Sequence, residues 1–226
     1  MNNLTSIIIP CYNYGEYLEE CVNSIINNNT SLDIEIIIID DCSTDNSFDV
    51  AKVIAKNLKN CSIYRNPVNK KLPITRNIGM ALSKGDYIIC LDADDLIPEN
   101  YIQLNYETLK EGYDISYSDS QCFGVINKRF NWPDFDAELL KKSNFIHCAS
   151  MFKRHVLEIV GGFDESFVYG SEDYDFWLMC LDRGFKFKKC KETYLLYRRT
   201  YKSMIDKVSK YHVKEIKEKL KTKHGV

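Results

Sequence analysis

The chain has 226 residues, 45% of them hydrophobic and 27% charged, with a formal net charge of -2. That is the composition of an ordinary soluble globular protein, with length for one α/β domain or one domain and a small appended piece. The near-neutral balance gives no electrostatic case for a nucleic-acid partner, and no apolar run approaches the roughly 18 residues needed to span a bilayer.

Strand-like and helix-like segments alternate through the first half. Residues 4–9 read as a strand, and residues 16–26 as a helix with Leu18, Cys21, Val22 and Ile25 on one face. A second strand covers 34–39, a helix 47–58, a short strand 62–65, a helix 74–83 closed by Gly85, and a strand 87–91. Residues 100–110 form a helix ending at Gly112. Repeated β-α units of this length imply parallel strands covered on both faces by helices.

The second half reads differently. Residues 114–118 and 121–126 are expected as a pair of strands in a mixed sheet, followed by a polar, aromatic stretch from 127 to 142 that contains Trp132. An apolar segment at 148–152 leads into a helix at 154–160 stopped by Gly161-Gly162. A helix at 174–181 and two short strands at 185–187 and 194–197 complete the sheet. The tail from 201 to 226 carries eight lysines against three acidic residues, with Met204, Ile205, Val208, Val213, Ile216 and Leu220 as an irregular apolar side. Such a helix either lies on an anionic membrane surface or packs on its own domain. Nine scattered cysteines without a Cys-x-x-Cys pair, and a start lacking signal-peptide character, make reduced thiols and a cytoplasmic location the expectation. Cys90, Cys148 and Cys180 sit in apolar runs and are expected as small core hydrophobes.

Two of the strands end in acid. Ile88-Ile89-Cys90-Leu91 stops at Asp92-Ala93-Asp94-Asp95, and the 34–39 strand stops at Asp40-Asp41, followed by Ser, Thr and Asn residues suited to capping a helix. Clustered carboxylates raise one another's pKa unless a cation is present. A hard divalent ion removes that repulsion by accepting oxygen ligands and sharing them with phosphates. In open α/β sheets ligands bind just beyond the carboxyl ends of the strands.

With these fragments in order, the chain resembles a family 2 inverting glycosyltransferase of the nucleotide-diphospho-sugar transferase (GT-A) superfamily. The likeness runs from Ser6-Ile7-Ile8-Ile9-Pro10-Cys11-Tyr12-Asn13 through Asp40-Asp41-Cys42-Ser43, where the family often has Gly in place of Cys42. It continues through Arg76-Asn77-Ile78-Gly79, Gly85-Asp86-Tyr87, Leu91-Asp92-Ala93-Asp94-Asp95, Gly161-Gly162-Phe163-Asp164-Glu165 and Glu172-Asp173-Tyr174-Asp175. It implies a Rossmann-like three-layer α/β/α fold on a mostly parallel, mixed central sheet. One domain over residues 1–200 is expected, with a nucleotide-binding half at 1–95, an acceptor-binding half at 96–200, and a basic helical tail at 201–226.

The resemblance also implies roles. Pro10, Tyr12, Asp41, Arg76, Asp92, Ala93 and Asp94 would bind a UDP- or dTDP-type sugar donor, Tyr12 stacking on the base and Asp41 accepting from its imide N–H. Asp94 and Asp92 would hold Mn²⁺ or Mg²⁺. Asp173 would be the general base, with Glu172, Gly162 and Trp132 facing a saccharide or lipid-linked saccharide acceptor. Several positions keep a second reading. Arg76 reaches the diphosphate, pairs with the acids, or sits on a helix surface. Glu172 and Asp173 complement a helix dipole, and Trp132 is a sugar platform or a core residue. Where many relatives carry a His shortly after the late Tyr-Arg, this chain has Arg199-Thr200-Tyr201-Lys202-Ser203-Met204 instead. Arg199 or Lys202 would then hold the diphosphate, or water would complete the metal's shell. The rivals are a nucleotidyltransferase, which wants a Gly-rich basic loop absent at Pro10–Gly15, and a degenerate transferase kept as a binding or scaffold subunit.

Overall fold

The run Ile7-Ile8-Ile9 makes β1 (Leu4–Cys11) a strand buried on both faces. In this computed structural model, which describes residues 3–201 and 209–226, β1 pairs in parallel with β2 (Asp33–Asp40) on one side and with β4 (Tyr87–Cys90) on the other. Beyond β2 lies β3 (Cys61–Arg65), also parallel. The crossovers are α1 (Gly15–Ile26), α2 (Ser47–Asn57) and α3 (Leu72–Leu82).

Strand alternation sorts these side chains between two cores. Ile7, Ile9, Ile36, Ile38 and Ile89 pack with α1, α2 and α4 (Tyr101–Lys110) on one face. Ile8, Ile88 and Cys90 point to the other face. There they meet α3, α5 (Ala137–Lys142), α6 (Arg154–Val160) and α7 (Glu172–Asp182). The result is the three-layer α/β/α arrangement expected.

The second half extends the same sheet. Strand β7 (Met151–Lys153) runs antiparallel to β4 and to β5 (Ile115–Gly124), while β6 (Lys128–Phe130) is antiparallel to β5. Strand β8 (Phe187–Arg199) runs parallel to β5 along its whole length. Two expectations are corrected here. The 114–118 and 121–126 segments are one strand, because the polar residues between them are satisfied inside the sheet. Asp119 accepts from Trp132 N at 2.8 Å, and Ser120 Oγ accepts from the Trp132 indole N–H at 3.1 Å. Likewise 185–187 and 194–197 belong to a single strand, whose pairing with β5 shifts between Ser118 and Asp119. A bulge at residues 191–193 absorbs the charged stretch that reads as a break.

Helix α8 (Lys210–His224) forms within the expected tail, its N-cap Ser209 Oγ accepting from His212 N at 3.3 Å. Its Leu220 is buried and Ile216 packs beside it on the α7 side of the sheet. Met204, Ile205, Val208 and Lys202 lie outside the described residues. Among the described residues no helix is long and apolar enough to cross a membrane.

Gly79 on α3 shows why the Arg-Asn-Ile-Gly motif ends as it does. A Cβ there would stand 2.3 Å from Ile8 Cγ2 of the central strand, so the helix that carries Arg76 can approach the sheet only over glycine. Gly79→Ala is therefore expected to lower stability by about 1–3 kcal/mol through overpacking, read as a shift in the denaturant midpoint. An unchanged midpoint would mean that α3 does not depend on this approach.

Candidate active site

Because β1, β2 and β4 are parallel, their carboxyl ends open on one edge of the sheet. Tyr12, just past β1, is 43% exposed, as a base-stacking ring must be. The next residue fixes that loop. Asn13 adopts φ 60, and its Oδ1 accepts from Thr44 N at 2.8 Å and Asp45 N at 3.3 Å, while Asn13 N donates to Ser43 Oγ at 3.0 Å. Cys42 also lies in the left-handed region, at φ 61. That explains the family's glycine at this place, since a side chain there costs roughly 1–2 kcal/mol. Pro10 pairs with Ile39 within the β1–β2 ladder.

The acids after β2 divide their labour. Asp41 is buried and accepts from Asn66 Nδ2 at 2.8 Å, Lys70 N at 2.8 Å and Lys71 N at 2.9 Å. A carboxylate has about four acceptor directions, so one remains for a ligand. Asp40 takes Arg65 Nε at 3.1 Å and Ser43 N at 3.2 Å. Asp45 does the capping, accepting from Ser47 N at 2.9 Å and from Gly15 N at 3.2 Å, so it serves the starts of α2 and α1 together.

Beyond β4 the acids are set apart by their partners. Asp92 Oδ1 accepts from Arg76 Nη2 at 2.5 Å, and the Cys148 thiol lies 3.7 Å from Asp92 Oδ2. Ala93 is buried. Asp95, also buried, accepts from Arg198 N at 2.9 Å. Asp94 is different: among the described residues its carboxylate accepts no hydrogen bond from any other residue. Burial and the neighbouring Asp92 push its pKa up to about 7.

Arg76 is no helix-surface residue: it makes the pairing with acids. It is 1% exposed and pairs with Asp92 on one side and Glu172 Oε1 on the other, with Cys148 Sγ at 3.3 Å. Its guanidinium thus joins the β4 acids to the head of α7. Asp173 follows Glu172 there and accepts from Tyr174 N at 2.7 Å. Burial and the adjacent Glu172 raise its pKa to about 7, against the lowering influence of Arg76. Asp92, Glu172 and Asp173 are therefore brought together through one cation, with Asp94 two residues from Asp92.

The two other residues expected on the acceptor side have structural partners in the fold. Gly162, at φ 99, faces Asn77, and a Cβ would sit 2.7 Å from Asn77 Oδ1. Asn77 clasps the next residue, its Nδ2 donating to Phe163 O and its Oδ1 accepting from Phe163 N, both at 2.9 Å. Trp132 stacks on Phe130, with ring centroids 5.4 Å apart, and bonds to β5. No described contact links it to Asp92, Asp94 or Asp173.

Three participants were not legible as such. Cys148, expected as a core hydrophobe, lies beside Asp92 and Arg76, its thiol pKa pushed well up by burial. Arg198 crosses from β8 to donate from Nε to Asp94 O at 2.7 Å and from Nη2 to Glu20 Oε2 at 2.5 Å. Its guanidinium lies 4.6 Å from the Tyr17 ring and 4.4 Å from the Phe123 ring. The Tyr-Arg pair was a visible signal, whereas Glu20 carried none.

The oxygen donors fit a hard divalent cation. Among the described residues no group of three His, Cys, Asp or Glu side chains forms a closed cage. Two carboxylates suffice for an ion that takes its other ligands from phosphate and water, and the unpartnered Asp94 suits that task.

Chondroitin synthase and hyaluronan synthase of Pasteurella multocida are each 31% identical over 191 residues, which is 82% of this chain but 19% of theirs. The chain thus spans about a fifth of the length of these relatives. S. aureus TarS in complex with UDP-GlcNAc superposes with a TM-score of 0.78 at 16% identity, covering 91% of this chain and 61% of that one. That superposition shows the GT-A fold. Residues 6–161 match the family described as Glycosyl transferase family 2, well over half of the sequence, and the chain belongs to that glycosyltransferase family.

Proposed function

We propose that the protein moves a sugar from a nucleoside diphosphate sugar, of the UDP or dTDP type, to an acceptor hydroxyl with inversion at the anomeric carbon. The observation that carries this reading is the pairing of one buried cation with Asp92 at the end of β4 and Glu172 at the head of α7, which brings their neighbours Asp94 and Asp173 to the same site. Asp94 is unpartnered on the donor side, Asp173 is held at the head of α7, and Arg76 ties the two sides together.

Asp173 takes the proton from the acceptor hydroxyl as that oxygen bonds to the anomeric carbon. The bond from that carbon to the diphosphate breaks on the opposite face, and its electron pair leaves on the nucleoside diphosphate. Asp94 and Asp92 would hold Mn²⁺ or Mg²⁺, which when bound supplies Lewis-acid neutralisation of the leaving group. Tyr12 offers a ring for the base, and the free acceptor direction of Asp41 suits an imide N–H, which favours uracil or thymine. The UDP-GlcNAc bound to TarS supports a uridine donor. Relatives named as chondroitin and hyaluronan synthases support a saccharide acceptor and a role in glycan assembly. Membrane contact by the tail is not part of this reading, because Ile216 and Leu220 of α8 face the domain.

Asp94→Ala should leave the far-ultraviolet circular dichroism unchanged. It should cut nucleoside diphosphate release by a factor on the order of 10² or more and abolish stimulation by Mn²⁺. Undiminished, metal-independent release from this variant would refute the assignment. Asp173 must be ionised to act, and its pKa is raised to about 7. At saturating donor and Mn²⁺, kcat should therefore fall as pH drops below about 7. Asp173→Asn should lower kcat by roughly 10²–10⁴. A kcat that stays level down to pH 5 would exclude Asp173 as the base.

A further inference from the structure

A basic C-terminal helix is ordinarily a solvated appendage, and the transfer chemistry above makes no use of it. The last turn of α8 is nonetheless built into the helix that carries Glu172 and Asp173. Asp175, three residues after Glu172 on α7, has no solvent exposure. Its Oδ2 accepts from Lys223 Nζ at 2.9 Å, and its Oδ1 lies 2.8 Å from His224 Nε2. Among the described residues these are the only side chains bonded to that carboxylate.

The same two residues reach further. Lys223 Nζ also donates to Asp164 Oδ2 at 2.8 Å, and His224 Nδ1 faces Asp182 Oδ2 at 3.2 Å. Asp164 belongs to the loop that leads into α7, and Asp182 is its last residue. Adjacent side chains of α8 therefore staple the approach, the first turn and the end of α7. Lys219 Nζ donating to Ser166 O at 2.9 Å, and His212 stacking on Tyr169 at 3.6 Å, seat the rest of α8 along that loop.

A carboxylate held out of water needs its partners. Without them Asp175 can regain solvation only if the head of α7 turns or frays, and the same turn carries Asp173. A displacement of about 1 Å at a reacting group is enough to cost about 10²-fold in rate.

We propose that α8 is a positioning element of the transfer site: Lys223 and His224 hold Asp175 and so keep Glu172 and Asp173 in register with Arg76. The inference rests on Asp173 acting as the base. The test uses the full chain with Lys223→Met and His224→Ala, singly and together, and the conservative Lys223→Arg and His224→Gln. Hydrogen–deuterium exchange reads the amides of residues 172–176 against those of β1. Calorimetry reads UDP binding with Mn²⁺, and kcat is taken as nucleoside diphosphate release from the best donor in a panel of UDP- and dTDP-sugars.

In the double variant, exchange at 172–176 should quicken by roughly tenfold or more while β1 stays protected. The kcat should fall about tenfold with the UDP dissociation constant within about twofold, and the conservative variants should recover most of the loss. Unchanged exchange at 172–176 overturns the proposal. So does equal acceleration in β1, or a kcat loss matched by weaker UDP binding. If the wild-type chain releases no nucleoside diphosphate from any UDP- or dTDP-sugar, the reaction itself is refuted, and the exchange contrast alone decides whether α8 holds α7.

Discussion

The buried guanidinium of Arg76 is the constraint on which the site depends. A cation this far from solvent is tolerable only beside counter-charges, and it has Asp92 from one end of the sheet and Glu172 from the head of α7. The rigid fork of arginine lets one nitrogen serve each acid at once, a geometry that the single ammonium of lysine does not reproduce. The end of β4 and the head of α7 are therefore registered by electrostatics as well as by the continuous sheet. The glycine at 79 lets the helix bearing Arg76 lie directly on Ile8, so the position of the cation is set by packing of the central strand.

Around that cation the acids fall into two groups, distinguished by hydrogen bonding and not by sequence. Asp40, Asp41, Asp45 and Asp95 accept from backbone amides and shape the loops at the strand ends. Asp94 has no such partner, and Asp173 has only the amide beside it. Burial leaves both of these with pKa values near 7. Asp95 is pushed up as well, by burial and by Asp94 and Asp92 beside it, so the fold stores unfavourable interaction among these acids, where a ligand can relieve it.

This division marks the limit of what the chain discloses before folding. Apolar runs that stop at acids disclosed the strand tips, and β-α alternation disclosed the parallel half, because both depend on neighbours in sequence. Arg76 stayed ambiguous because its deciding partner, Glu172, lies 96 residues away. Strand β5 read as two pieces because Asp119 and Ser120 look like a turn until Trp132 and Lys189 supply partners from elsewhere. Cys148 read as a core residue for the same reason, since nothing local announces Asp92 and Arg76 beside it. Within α8 nothing local distinguishes Lys219 and Lys223 from the other lysines, and only the docked helix shows their partners.

The two poorly served acids also give the site a thermodynamic signature with a definite sign. In the unfolded chain each ionises near the ordinary aspartate value of 3.8, whereas in the folded protein each holds its proton to about 7. The folded state thus binds more protons between those limits, so the contribution of Asp94 and Asp173 to stability is present at low pH. It is lost as pH rises from about 4 to about 7. At neutral pH the apo site therefore works against the fold. A divalent cation with its nucleoside diphosphate would remove the repulsion at Asp94, so the same charge that weakens the empty protein becomes the source of its affinity for a metal-bound donor. Asp173 owes its raised pKa first to burial and to Glu172 beside it, neither of which a cation at Asp94 removes, so it keeps the capacity to take a proton.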